Sequence, residues 1–133
     1  MQKFLFIFGL FSLLMGFSSF DNDELDASKA RGEEVYMDYC IACHMTTGEG
    51  VEGVFPPLAN SDYLLADVER AIRVVKYGQM GPITVNEVEY NSAMPSPGLD
   101  DDEIADVLTF VLNAWGNDYG KLVTEEQVAA VEE

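Results

Sequence analysis

Cys40-Ile41-Ala42-Cys43-His44 is the stretch that decides the fold of this 133-residue chain. The sequence contains two cysteines and one histidine, and all three lie within this short segment. C-x-x-C-H is the attachment pattern of c-type haem, in which each thiol adds across a vinyl group and the histidine binds the iron. The spacing therefore predicts one covalent haem c, attached at Cys40 and Cys43 and ligated by His44.

Other readings of the same residues explain less of the pattern. A structural zinc site needs four nitrogen or sulfur ligands, and the chain offers three. A thioredoxin-like C-x-x-C requires a βαβ setting that the neighbouring sequence does not supply. A plain disulfide accounts for both cysteines but leaves His44 as a coincidence. Haem attachment is the interpretation that uses all three residues.

The N-terminus resembles a secretory leader. Lys3 precedes an apolar run from Phe4 to Phe17, and small residues follow around Ser18. This order predicts a cleaved signal peptide over residues 1–19 and a periplasmic protein. The alternative is an uncleaved membrane anchor, because the run to Phe20 reaches the lower limit of a spanning helix. Export agrees with covalent haem attachment, which implies assembly outside the cytoplasm.

The chain is small and strongly acidic. There are 24 acidic and 7 basic residues, for a formal charge of −17. Such a charge argues against binding to nucleic acid or anionic membranes and favours redox partners with basic docking surfaces. The length predicts one domain, over residues 28–116, between an acidic lead-in at 20–27 and an acidic C-terminal extension at 117–133.

The hydrophobic pattern predicts an all-α architecture with a small β-hairpin insertion. A first helix is expected over residues 28–43, crossing the last long helix at Gly32, with Ala30, Val35, Tyr36, Tyr39 and Cys40 buried. A hairpin is expected over residues 83–90.

Capping signals place the remaining helices. Ser61 and Asp67 precede helical segments, and Gly78 is expected to end the second of them. Asp100 and Glu103 predict a capping box for the last long helix, which is expected to end at Gly116. A second capping pattern at residues 124–127 predicts a short helix through Val131 in the extension.

The iron needs a ligand on the face opposite His44, and the chain has no second histidine. Of six methionines, two lie in the leader and two adjoin the attachment segment, which leaves Met80 and Met94. Met94 is favoured because the prolines that follow it stiffen its loop and lower the entropic cost of holding a weak thioether ligand. Met80, in a looser glycine-flanked turn, and an open iron site are the alternatives.

The order of these motifs resembles the class I cytochromes c. The resemblance is carried by C-x-x-C-H and by the stretches FPPLANSDYL (55–64), GPITVN (81–86) and YNSAMP (90–95). It points to bacterial monohaem cytochromes related to the cytochrome domains of copper nitrite reductases and of dehydrogenase and oxidase complexes. The resemblance implies the class I fold, His44/Met94 ligation and single-electron transfer.

It also implies two further contacts and reveals one departure. The Pro56 carbonyl is expected to accept a hydrogen bond from the His44 ring, and Leu58 is expected to pack on the porphyrin. Relatives commonly have Asn-Gly at the hairpin turn, where this chain has Asn86-Glu87. Because glutamate is unfavourable at positive φ, a longer turn or one of another type is expected.

These observations predict a periplasmic electron carrier rather than an enzyme, since electron transfer needs no acid, base or nucleophile. Its partners are expected to be a reductase, an oxidase or a dehydrogenase. Two alternatives remain open. One is an electron-transfer subunit of a membrane-bound oxidoreductase complex. The other is a haem sensor or peroxidase with an open iron site.

Overall fold

A computed structural model of the chain describes the backbone of residues 17–133 and the side chains from residue 22 onward. The predicted leader lies outside the described residues except at its C-terminal end. The elements in chain order are α1 (Phe17–Tyr39), α2 (Ile41–His44), α3 (Asp62–Ala66), α4 (Val68–Tyr77), β1 (Ile83–Val85), β2 (Val88–Tyr90), α5 (Asp101–Val111) and α6 (Glu125–Ala129). The expected helical architecture with one small hairpin is confirmed. Among residues 17–133, no helix is long and apolar enough to cross a membrane.

Helix α1 differs from its predicted bounds at both ends. It begins at Phe17 rather than near Ser28, so the acidic segment 20–27 is helical rather than an irregular lead-in. Most side chains at 22–27 remain exposed to solvent, which is why this part of the helix shows no apolar periodicity. The helix ends at Tyr39, and α2 begins separately at Ile41, so the attachment segment is not a continuation of α1.

Helix α1 crosses α5 at Gly32, as predicted. A Cβ atom added to Gly32 would lie 2.0 Å from the Asp106 carbonyl oxygen and 2.8 Å from the Phe110 Cβ. Asp106 of α5 also stabilises the crossing through polar contacts with α1. It accepts a hydrogen bond from the Ser28 hydroxyl at 2.7 Å and forms an ion pair with the Arg31 Nε at 2.6 Å. The two backbones can approach this closely only because position 32 has no side chain.

The buried stripe of α1 is partly different from the predicted one. Ser28, Gly32 and Tyr36 are buried at a spacing of four residues, whereas Ala30 and Tyr39 are exposed. The burial expected for Ala30 and Tyr39 was therefore wrong. The stripe that contacts α5 contains a serine and a glycine, so apolar periodicity alone does not identify it.

The capping residues of α3 and α4 lie where the sequence predicts them. The Ser61 hydroxyl accepts a hydrogen bond from the Leu64 backbone N–H at 3.2 Å. The Asp67 carboxylate accepts one from the Arg70 N–H at 3.0 Å, and Gly78, whose φ is 85°, caps α4 directly after Tyr77. These caps fix where the two short helices begin beside the core.

Strands β1 and β2 form an antiparallel hairpin with Ile83 opposite Tyr90 and Val85 opposite Val88. The expectation of a longer turn or another type was wrong, because two residues connect the strands and both have positive φ: 48° at Asn86 and 67° at Glu87. Asn86 is held by a reciprocal pair of hydrogen bonds with Asp62, each side chain accepting from the other backbone N–H. This tertiary contact offsets the unfavourable backbone at Glu87.

Helix α5 starts with the predicted capping box, in which the Asp100 and Glu103 side chains each pair with the other residue's backbone N–H. It ends at Val111 rather than continuing to Gly116. Trp115 instead lies in the following turn with φ 52° and packs its ring on those of Tyr36 and Phe110, with centroid distances of 4.9 and 5.3 Å. The turn thus brings the indole back onto the α1–α5 crossing.

The C-terminal segment is part of the hydrophobic core. Val123, Val128 and Val131 are buried together with residues of α5. The predicted capping box between Thr124 and Gln127 is present, but the helix it starts ends at Ala129 rather than at Val131. The extension after residue 116 therefore contributes packing and is not a loose acidic tail.

Candidate functional site

A cavity of about 400 Å³ lies between the attachment segment, the loop after it, α4, the hairpin and α5. Much of its wall is aliphatic, with Leu58, Leu64, Val74, Val75, Ile83, Val85, Val107, Leu108 and Val111 among the lining residues. The six residues that the sequence favours as haem attachments, ligands or contacts also line it: Cys40, Cys43, His44, Pro56, Leu58 and Met94. The fold thus brings Met94 to the same cavity as Cys40, although the two residues lie far apart in the sequence.

The two cysteines are free thiols on α2 and the residue before it. Cys43 is exposed, whereas Cys40 is half-buried, and burial raises the pKa of the Cys40 thiol to about 11, with a further contribution from Cys43. Redox-active and metal-binding cysteines usually have lowered pKa values. The pKa of Cys40 is shifted in the opposite direction.

The His44 ring is held in one orientation. It is 8% exposed, and its Nδ1 lies 2.9 Å from the Pro56 carbonyl oxygen. Because a carbonyl can only accept, Nδ1 carries the proton and Nε2 keeps its lone pair for a metal. Burial lowers the pKa of His44, and the Pro56 hydrogen bond raises it in part. The imidazole is therefore neutral at neutral pH, which is the form that binds iron.

Met94 and Met80 are in different surroundings although their loops are adjacent. The backbone of Met94 pairs with that of Gln79 through two hydrogen bonds of 2.8 and 2.9 Å, and Met94 lines the cavity. Met80 is 85% exposed and is not among the residues that line this cavity. Of the two methionines, Met94 is the one that the fold places in the cavity with His44.

The backbone of Leu58 is held by Asn117, a residue that the sequence analysis did not single out. The buried Asn117 amide donates to the Leu58 carbonyl oxygen at 2.9 Å and to the Val111 carbonyl oxygen at 2.7 Å. Its own oxygen accepts from the Asn60 N–H at 2.8 Å. Nothing in the local sequence marks Asn117, because all its partners except Val111 are distant in the chain. It joins the end of the α5 segment to the loop that carries Leu58.

The donor set fits a c-type haem. Two unpaired thiols, a neutral imidazole with a free Nε2, a thioether and aliphatic walls share one cavity. Over the part of the chain with described side chains, no cluster of three or more His, Cys, Asp or Glu residues could hold a metal ion.

A family model described as Cytochrome c matches residues 29–115. This chain belongs to the cytochrome c family. The cytochrome accordingly has the class I fold with a small hairpin and binds one covalent haem c. The matched region ends before Gly116, so the packed C-terminal segment lies outside it.

Curated relatives of the cytochrome include small cytochromes and larger subunits. It is 39% identical over 98 residues to a cytochrome c-552 of Thermus thermophilus, covering 70% of this chain and 66% of the relative. It is 40% identical over 91 residues to the cytochrome c subunit of a quinone alcohol dehydrogenase of Gluconobacter oxydans, covering 65% of this chain. The chain spans 18% of the length of that subunit.

Proposed function

We propose that this cytochrome is a periplasmic single-electron carrier whose haem iron is ligated by His44 and Met94. The observation that carries the proposal is the position of Met94, which lines the cavity together with His44 and both attachment cysteines. Met80, the other candidate, is 85% exposed. The Gln79–Met94 backbone bridge supports the weak thioether ligand by fixing the main chain that carries it.

Haem bound in this cavity would supply one redox-active iron, able to gain and lose a single electron between Fe(II) and Fe(III). His44 contributes a fixed, neutral nitrogen ligand, because Pro56 holds its other ring nitrogen. The aliphatic walls exclude water and stabilise the less charged reduced site, and His/Met ligation acts in the same direction on the potential. Because the ligands and walls are held in advance, little rearrangement accompanies the transfer of an electron.

The test of the ligand assignment is a pair of methionine variants. Met94→Ala should remove the methionine–iron charge-transfer band of the oxidised protein and allow the reduced protein to bind carbon monoxide. Met80→Ala is the matched control, since it removes a thioether from the residue next to Gln79, and it should leave the band intact. Loss of the band in Met80→Ala alone, or carbon monoxide binding by the wild type, would contradict the assignment.

The acidic surface supports a partner with a basic docking surface. With a formal charge of −17, electrostatic steering can raise association rates about 10- to 1000-fold at low salt. Electron transfer to a basic acceptor should slow steeply as salt rises, and transfer to an acidic acceptor should be slow throughout. Stopped-flow oxidation against one acceptor of each charge tests this. Equal electron-transfer rates to both acceptors, with no dependence on salt concentration, would mean that the surface charge serves solubility alone.

A second candidate function is electron transfer within a dehydrogenase complex. It is favoured by the similarity to cytochrome c subunits of quinone alcohol dehydrogenases and of a gluconate 2-dehydrogenase. Cell fractionation followed by gentle purification of the native protein separates the two functions. A free carrier should appear in the periplasmic fraction as a single small species, whereas a subunit should co-purify with a dehydrogenase in the membrane fraction.

A further inference from the structure

Three side chains in the second half of α4 are hydrogen-bonded to residues 128–133, a segment hereafter named the clasp. Each donates to a main-chain carbonyl oxygen of the clasp: Lys76 to Val128 at 2.9 Å, Tyr77 to Val131 at 3.0 Å and Arg73 to Glu132 at 3.2 Å. Val128 and Val131 are themselves buried in the core with residues of α5. The clasp therefore joins the end of α4 to the core, and it lies beyond residue 115, where the family match ends.

The same end of α4 supports the loop that carries Met94. The Met94 backbone pairs with that of Gln79 through hydrogen bonds of 2.8 and 2.9 Å, and the Ser96 hydroxyl donates to the Lys76 carbonyl oxygen at 2.9 Å. Gly78 packs directly on this loop, because a Cβ atom added there would lie 2.8 Å from the Met94 carbonyl oxygen. Three hydrogen bonds and one close contact thus join residues 94–96 to residues 76–79, so these two segments form one structural unit.

Lys76 connects the two sets of contacts. Its ammonium donates to the Val128 carbonyl oxygen and also forms an ion pair with Asp101, in the first turn of α5, at 3.2 Å. Its own carbonyl oxygen accepts the hydrogen bond from Ser96. A movement of the Met94 loop away from the cavity, made together with the end of α4, would therefore break the contacts to the clasp.

We propose that the clasp, acting through Lys76 and Tyr77, holds Met94 in place as the axial ligand. This inference rests on the ligation by Met94 in the proposed function. A thioether is a weak ligand, so the fraction of time it stays bound depends on how firmly its loop is held. The release of Met94 is then a local opening of the Met94 loop and the end of α4, distinct from global unfolding. Each hydrogen bond to the clasp shifts this opening equilibrium by about 2- to 12-fold.

The test is a titration of the oxidised holoprotein with imidazole, followed by the loss of the methionine–iron charge-transfer band. Imidazole binds the iron only when Met94 has left, so its apparent affinity is scaled by the fraction of open molecules. Tyr77→Phe removes only the hydroxyl that contacts the clasp and should tighten apparent imidazole binding by about 2- to 12-fold. Deletion of residues 128–133 removes all three contacts and should tighten it further.

Ser28→Ala is the control, because it removes a 2.7 Å hydrogen bond at the α1–α5 crossing instead. It should lower the free energy of unfolding but leave the imidazole affinity at the wild-type value. Equal tightening in Ser28→Ala and Tyr77→Phe would show a general loosening of the fold and overturn the proposal.

Wild-type imidazole affinity in both Tyr77→Phe and the deletion variant also overturns it. If the deletion variant fails to fold with haem, Lys76→Met takes its place, since it removes the contacts with Val128 and Asp101 and keeps the buried valines. The spectrum of the wild type separates this outcome from a failure of the proposed function. A wild type without the charge-transfer band contradicts ligation by Met94, whereas an intact band with unchanged affinities refutes only the role of the clasp.

Discussion

The α1–α5 crossing should not tolerate a methyl group at Gly32. In Gly32→Ala the new Cβ would lie 2.0 Å from the Asp106 carbonyl oxygen, where an ordinary contact needs at least 3.4 Å. The blocking atom belongs to the backbone, so a side-chain rotation cannot relieve the clash. The contact must lengthen by about 1.4 Å, so the helices must separate or bend. A gap of only about 0.5–1 Å already forfeits roughly a quarter to a half of each dispersion contact that it opens.

Two effects of opposite sign set the size of the change. Alanine favours the helix by about 1 kcal/mol relative to glycine. Overpacking of a well-packed interface costs about 1–3 kcal/mol and more where the backbone must move. The separation also stretches the 2.7 Å hydrogen bond from Ser28 to Asp106. We expect Gly32→Ala to lower the free energy of unfolding by about 2 kcal/mol, which corresponds to a Tm lower by roughly 10 °C.

Guanidinium unfolding of the holoprotein, followed by far-ultraviolet circular dichroism, measures this change. Ala30→Gly is the control, because Ala30 lies on the same helix with its side chain exposed. It changes helix propensity alone and should cost about 1 kcal/mol. A stabilising Gly32→Ala, or one that costs less than Ala30→Gly, would refute the inference that the missing side chain permits the crossing.

Three further predictions concern the turn, the buried amide and the attachment. Glu87→Gly should raise the free energy of unfolding by about 1 kcal/mol, because glycine accepts the φ of 67° that strains glutamate. Urea titration measures this change. Glu89→Gly, in the neighbouring strand, is the control and should destabilise the protein. Asn117→Ala should lower the free energy of unfolding by about 2–4 kcal/mol, since it leaves buried backbone groups without hydrogen-bond partners. Thermal melts measure this change. A loss below about 1 kcal/mol would contradict the inference that Asn117 holds the backbone of Leu58. The intact mass after acid–acetone extraction should retain one haem in the wild type, and loss of the haem would show that Cys40 and Cys43 form no thioethers.

The sequence by itself determined the features that depend on residues close together in the chain. The attachment segment needs its two thiols and its imidazole at fixed spacing, and the caps at Ser61, Asp67 and Asp100 need a side chain three residues from an unpaired N–H. Each of these is satisfied within one helical turn, so the local pattern is sufficient. The covalent attachment of one haem c was predictable from the sequence for the same reason.

The tertiary structure decided what depends on distant partners. The buried face of α1 is set by its approach to Asp106, the length of the hairpin turn by the contact between Asn86 and Asp62, and the surroundings of Met94 by its pairing with Gln79. Local propensity opposed the first two of these outcomes, since glycine weakens a helix and glutamate disfavours positive φ. Packing and hydrogen bonds between segments far apart in the chain outweigh such preferences, which are worth about 1 kcal/mol each.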